Sequence, residues 1–570
     1  MTDHISRAEH ALRHGPTAGD LVRLGDTDLW LHVDVDVTAI GDEPRWGFGK
    51  DFRSRMVQQD RAPRDSELDA VIAGAIVVDP LIGVVKADIG IKEGRVVGIG
   101  RAGNPDITDR VDLTIGPNTW PIPCHGLIAT PGGVDSHVHL LSPKLVPVAL
   151  SAGVTTLITA GFEEPPSRMH RTLEAFEAFP VNVGLQASAR SETSAQAASV
   201  VEAGAIGLKV HEDWGAYPEL IDQTLRVADA YDVAVCLHTD GLNESTDLEG
   251  TVDAIAGRAV HAYHVEGAGG GHVPDVLALV REANVICSST TPGIPFARAT
   301  AAEHVDMIQI VHETNPQLAD DLEAARERVR PWTMAAEGPL HELGAIQLIN
   351  SDSQGMGRIG ETIRRTWQLA HVMKAWRAGD DAAGMPSGPS PATASGLGDN
   401  DRILRYLAKY TVDAARVHGV ASEVGSLAPG HLADIVLWQP ASFGVRPAAV
   451  VKAGVLAWGP TGSGNASVHL AQPTTLGPDW GAVGTAPSAL SVVFASQASH
   501  EADLRSTLGT RRRVVPVSDV RSITRASLIA NGATAAIEID AGAQEVRLDG
   551  RVLRSTPVSE VPLSRRYLLA

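Results

Sequence analysis

Val134-Asp135-Ser136-His137-Val138-His139-Leu140 decides how the rest of the chain is read. In a β-strand alternate side chains share a face and the rise is roughly 3.3 Å per residue, so His137 and His139 point the same way about 7 Å apart. Pro131-Gly132-Gly133 before the stretch and Pro143 after it bound a short strand. Two imidazoles at a strand end suit two ligands of one metal. Alone the pair is a weak signal, because His-x-His is common without any ion.

Outward from this stretch, short apolar runs alternate with helical segments. The runs are 134–140, 155–160, 181–187, 206–212, 233–239, 259–265, 284–290 and 346–352. Stretches with helical spacing, such as 219–231 and 274–283, lie between most of them. Eight buried strands alternating with helices predict an α/β fold, a (β/α)8 barrel spanning 131–423. Helix-rich sequence at 301–345 lengthens the connection between runs seven and eight, and a flap is expected over about 301–335.

Residues 1–130 read as β-rich, with strand candidates at 29–33, 70–79, 87–92 and 95–99 and a turn at Lys92-Glu93-Gly94. β character returns over 424–480, and the two regions are expected to form one composite domain. Residues 378–399, rich in Ala, Gly, Pro, Ser and Asp, read as a flexible loop or linker. Residues 481–570 form a mixed C-terminal segment.

Polar residues close the apolar runs. Run one ends in His137 and His139, run four carries Lys209, His211 and Asp213, run five ends at His238, run six at His264 and run eight at Asp352. Active sites of this fold lie at the C-terminal face of the barrel, so these groups converge. Each has an ordinary explanation alone: His238 or His264 as a core histidine, Lys209 as a strand-end lysine paired with Glu212 or Asp213, Asp352 as a helix N-cap, His312 as a solvated histidine. Five strands contributing at once is harder to explain that way. Imidazoles and a carboxylate suit zinc or nickel. Lys209 beside two dications is driven toward its neutral amine, which can take up carbon dioxide and become a bridging carbamate. Gly267-Ala268-Gly269-Gly270-Gly271 lacks the Lys-Ser/Thr of a phosphate loop and reads as backbone approaching a small ligand.

The chain has 570 residues, a formal charge of -20 and three dispersed cysteines. Its length predicts two to four domains. The acidic balance argues against nucleic acid or an anionic membrane as partner. The cysteines do not form a disulfide framework, which fits a reducing cytosol. The N-terminus is polar with no signal-peptide pattern, and no apolar run of about 18 residues occurs, so a cytoplasmic protein without membrane spans is expected.

Gly15-Pro-Thr-Ala-Gly-Asp20, Val85-Lys-Ala-Asp-Ile-Gly-Ile-Lys92, Gly100-Arg-Ala-Gly-Asn-Pro-Asp106, Ala205-Ile-Gly-Leu-Lys-Val-His-Glu-Asp-Trp214, Glu266-Gly-Ala-Gly-Gly-Gly-His272 and Ser351-Asp-Ser-Gln354 resemble the catalytic α subunit of urease. The resemblance runs from about residue 10 to Arg565-Arg-Tyr-Leu568. It implies a dinickel amidohydrolase with two Ni2+ per chain, bridged by carbamylated Lys209. His238 and His264 would bind one nickel, and His137, His139 and Asp352 the other. His211 would donate to the urea carbonyl, the Gly269 carbonyl would contact a substrate amide, and His312 would protonate the leaving ammonia, held and tuned by Asp213 and Arg328. Urease β and γ type chains, a homotrimeric assembly and nickel-loading accessory proteins are implied as partners.

Three departures stand out. Val311 precedes His312 where the family usually has a cysteine. Gly355 replaces an alanine. The loop Gly161-Phe-Glu-Glu-Pro-Pro166, which in the family walls the pocket and offers it a carbonyl, is short. Two other readings therefore stay open: the same chemistry on a larger amide or ureido substrate, and a non-catalytic urease-like subunit.

Overall fold

The eight runs close into a barrel. In the computed structural model, which describes residues 4–38, 40–47, 49–238, 246–269, 274–468 and 470–564, they form parallel strands β1 (Gly133–Val138), β2 (Val154–Thr159), β3 (Asn182–Gly184 and Gln186–Ser188), β4 (Gly207–His211), β5 (Ala234–His238), β6 (Val260–Ala262), β7 (Val285–Thr290) and β8 (Leu348–Asn350). Neighbours pair in order from β1 to β3 and from β3 to β8. A parallel bridge from Val138 to Ser353 joins the last strand end to the first. Every residue of these strands is buried, because helices cover the outside and side chains fill the inside. That is why the sequence shows apolar runs here instead of alternation.

The helix Pro218–Tyr231 starts with proline at its first turn and stops at Asp232, whose φ of 49° is left-handed. Residues 274–283, expected to be an α-helix, hold only the 3-10 helix Asp275–Arg281. The helix-rich insertion forms Thr300–Val311, Ala319–Arg328 and Pro331–Glu342.

Strands on both sides of the barrel in sequence share one ten-stranded sheet. The seam is the antiparallel pairing of Ile128–Pro131 with Ile435–Trp438. Within it the Lys92-Arg95 hairpin turns through Glu93 and Gly94, both at positive φ, the two-residue turn that matches strand twist. The segment 378–399, read as a flexible linker, is irregular yet tied down. Thr393 Oγ1 donates to the Pro80 carbonyl at 2.9 Å, and Asp399 accepts from Trp30 N at 2.8 Å.

The C-terminal segment packs on the barrel. Its strands Val492–Ala495 and Arg513–Pro516 extend the sheet from the first half of β3. Arg525, 1% exposed, donates to the carbonyls of Val285 and Ala345, tying this segment to the barrel strands. Among the described residues no helix is long and apolar enough to cross a membrane.

Candidate metal centre

The end of β1 is locked before its histidines are placed. Buried Asp135 accepts from Ser351 N at 3.0 Å and from Thr362 Oγ1 at 2.9 Å, which fixes β1 against the end of β8. His137 Nε2 and His139 Nε2 then both lie 3.2 Å from Asp352 Oδ1. Asp352 sits at φ 55°, a left-handed position that aspartate tolerates better than most residues.

The other half of the mouth comes from β4 to β6. Register pairs His211 with His238 and Lys209 with Cys236, so the lysine stands two residues deeper than the imidazoles. The rings follow one another around the rim: His211 to His238 at 3.9 Å, His238 to His264 at 4.6 Å, His264 to His137 at 5.8 Å and His137 to His139 at 5.5 Å. Tyr263 floors the site, stacked on His137 at 3.9 Å, with its hydroxyl donating to the Ser136 carbonyl at 2.9 Å.

Lys209, 1% exposed, places Nζ 3.8 Å from the Tyr263 ring centroid and forms no ion pair among the described residues. Burial pushes its pKa down to about 7. Burial likewise holds His137, His211 and His238 well below the usual imidazole range and His264 at about 3, so the rings stay in the neutral form that binds metals. Two buried ring nitrogens, His137 Nδ1 and His264 Nδ1, have no hydrogen-bond partner among the described residues. His137, His139 and Asp352 bring three ligand atoms within 4.8 Å of one another, a donor set that fits a divalent cation.

Beyond the rim, Glu212, Asp213 and His312 bring their side chains together, each within 4.8 Å of the others. His312 caps the C-terminus of the flap helix Thr300–Val311. Burial and Arg328 lower its pKa, while Glu212 and Asp213 act the other way. The resemblance implies that Arg328 acts with Asp213 on His312, but its ion pair is made elsewhere. Arg328 pairs with Glu212 Oε1, at 2.8 Å, and Glu212 also lies 3.3 Å from His238 Nε2. Glu212 is the residue that sequence reasoning missed. Its signal was its place between His211 and Asp213 in a motif already singled out. The main-chain N–H of Asp213 donates to His211 Nδ1 at 3.1 Å, which leaves Nε2 as the protonated nitrogen of the neutral ring.

Gly269 abuts His264, whose ring would lie 2.8 Å from any Cβ built there. Gly270, Gly271 and His272 fall outside the described residues, as do Thr239 and 565–568. Gly355 leaves the space that Asp352 Oδ1 and the His139 ring occupy, only 2.5 and 3.0 Å from where a Cβ would stand. The glycine departure therefore belongs to the same cage.

Residues 3–122 match the urease alpha-subunit N-terminal domain, and residues 128–465 match the amidohydrolase family. The urease subunit alpha of Natronomonas pharaonis is 44% identical over 580 positions, covering all of both chains. The chain belongs to the urease alpha-subunit family. Among solved structures, a D-hydantoinase from Thermus sp. aligns over 68% of this chain and 95% of its own at 16% identity, with a TM-score of 0.49.

In this urease alpha-subunit homologue the ligand-type residues stand at the strand ends, and a loop walls the site. The short 161–166 loop does not leave the pocket open. Phe162 fills that side, its ring 5.6 Å from His139 and 5.3 Å from His211. The Phe162 carbonyl accepts from Arg168 Nη1 at 2.6 Å and is already engaged.

Proposed function

We propose that this chain hydrolyses urea to ammonia and carbamate at two nickel ions bridged by carbamylated Lys209. One observation carries the reading. Six groups of ligand type from five strand ends meet at one barrel mouth, and one of them is buried Lys209, which has no acidic partner among the described residues.

His137, His139 and Asp352 would hold one metal and His238 and His264 the other. The neutral Lys209 amine adds to carbon dioxide: the nitrogen lone pair forms an N–C bond, one C=O pair moves onto oxygen, and the nitrogen loses a proton to solvent. A buried neutral amine thereby becomes an anion with two oxygens. When bound, the metals supply Lewis acidity toward a carbonyl and a nucleophile from water near neutral pH.

The chain's own residues do the rest. His211 Nε2–H donates to the urea oxygen, its tautomer set by the Asp213 main chain. The Gly269 carbonyl accepts from a substrate amide. His312 holds the proton that leaves with ammonia, its charge supported by Glu212 and Asp213. The flap helix brings it to the mouth. Substrate entry therefore calls for movement of this helix.

Urease β and γ type chains, a threefold assembly, nickel-loading proteins and a cytoplasmic setting complete the reading. The test is ammonia release by the nickel-loaded protein, offered urea and a panel of larger ureido compounds. Selective release from urea supports the proposal. Absence of release from urea, or preference for a bulkier compound, contradicts it.

A further inference from the structure

The wall of the site is built by a device that the metal cage does not need. Gly161 and Phe162, directly after β2, both adopt left-handed backbone, with φ of 99° and 75°. At Gly161 the chain passes so close to Lys209 that a Cβ would lie 2.6 Å from Lys209 Cβ. Phenylalanine in this region is a costly exception, held only where the surroundings over-determine it, and such exceptions cluster at functional sites.

The surroundings here are specific. The Phe162 carbonyl is held by Arg168 at 2.6 Å. Glu164 accepts from Ser188 N at 2.9 Å and pairs with Arg190. Arg190 in turn lies over the Trp214 ring, 3.8 Å from its centroid. Trp214, 43% exposed, backs Phe162 from the solvent side at 6.3 Å. The strained residue thus brings its ring against both His139, a proposed metal ligand, and His211, the proposed donor to the substrate carbonyl.

We propose that Phe162 is a specificity-determining residue that sets the upper size limit of the substrate. It replaces the bulk of a longer loop by one rigid ring, leaving room for a small planar amide and excluding substituents on its nitrogen. The inference rests on the metal-centre reading above, and its test separates the two.

Nickel-loaded wild type, Phe162→Ala and Phe162→Leu are titrated calorimetrically with acetohydroxamic acid and benzohydroxamic acid. Both probes carry the same metal-binding group and differ in size. Wild type is expected to favour the small acid by about tenfold or more, the discrimination a filled apolar pocket gives. Phe162→Ala should erase or invert that ratio with nickel content unchanged, and Phe162→Leu should fall between. The ratio of kcat/KM for urea over N-methylurea should fall in step, by about tenfold or more in Phe162→Ala. An unchanged size ratio in whichever variant folds and holds nickel, or failure of wild type to bind either acid, overturns the proposal. If the ratio shifts as expected while wild type releases no ammonia from urea, the urea reading fails and the role of Phe162 stands.

Discussion

The floor and the wall of this site are made by different means. The floor residues sit on β-strands or within two residues of their ends, at the mouth of a barrel whose register fixes the strands, and all but His139 are buried. The wall residues Phe162, Trp214 and His312 lie on a turn, a 3-10 helix and a helix end, and are partly exposed. A strand position can move only with its neighbours, so ligand geometry there is protected by the whole sheet. A loop can be shortened and rebuilt around one ring without disturbing a ligand. The difference teaches that the ligand-type groups and the wall around them are held by separable parts of this chain.

That separation can be broken from the floor first. Asp352→Ala removes the carboxylate shared by His137 and His139. Ammonia release from urea should fall by about three orders of magnitude or more, together with nickel content, since a Lewis acid contributes several kcal/mol. Loss of activity with full nickel content would put Asp352 in another role.

His312→Ala probes the wall. Turnover should fall about 10²- to 10⁴-fold, the usual worth of a positioned acid, with nickel content unchanged. A loss of nickel would show that floor and wall are not separate.

Glu212→Gln is a smaller perturbation at the junction of the two. It removes the charge that holds Arg328 at 2.8 Å. Stability should drop by about 1–3 kcal/mol, the worth of a part-buried hydrogen bond to a charged group, measured by guanidinium unfolding. Turnover should fall more than KM rises, because the change reaches His312 and, at His238 Nε2 3.3 Å away, one proposed ligand, but not the substrate contacts. Unchanged stability would mean that Arg328 finds another partner. Val311→Cys should have the least effect. Val311 is 42% exposed at the end of the flap helix, so turnover should stay within about twofold while the protein becomes sensitive to thiol reagents. Persisting resistance to those reagents would indicate a buried flap end.

The floor was legible in the sequence for the same reason that it is rigid. Apolar runs that end in His137, His139, Lys209, His238, His264 and Asp352 report both the strand and the group that it delivers. The composite sheet was legible as well, from β texture on both sides of the barrel. The wall was not. Phe162 looked like part of a gap, because loop length says nothing of which side chain turns inward. A φ of 75° at a phenylalanine has no sequence signature. Glu212 was passed over because the adjacent Asp213 is of the same chemical type, and only the partner at Arg328, 116 residues away, tells them apart. The 274–283 segment has the apolar spacing of a helix, but it is a tight seven-residue 3-10 turn between β6 and β7.

The central claim is that a carbamylated Lys209 joins two metals at the barrel mouth. Nickel per chain, measured on wild type and Lys209→Ala loaded side by side in bicarbonate, tests it most directly. The account predicts two metals per wild-type chain, both lost in the variant, with small carboxylates restoring part of the metal and the activity. A Lys209→Ala protein that keeps its full complement of nickel would contradict it.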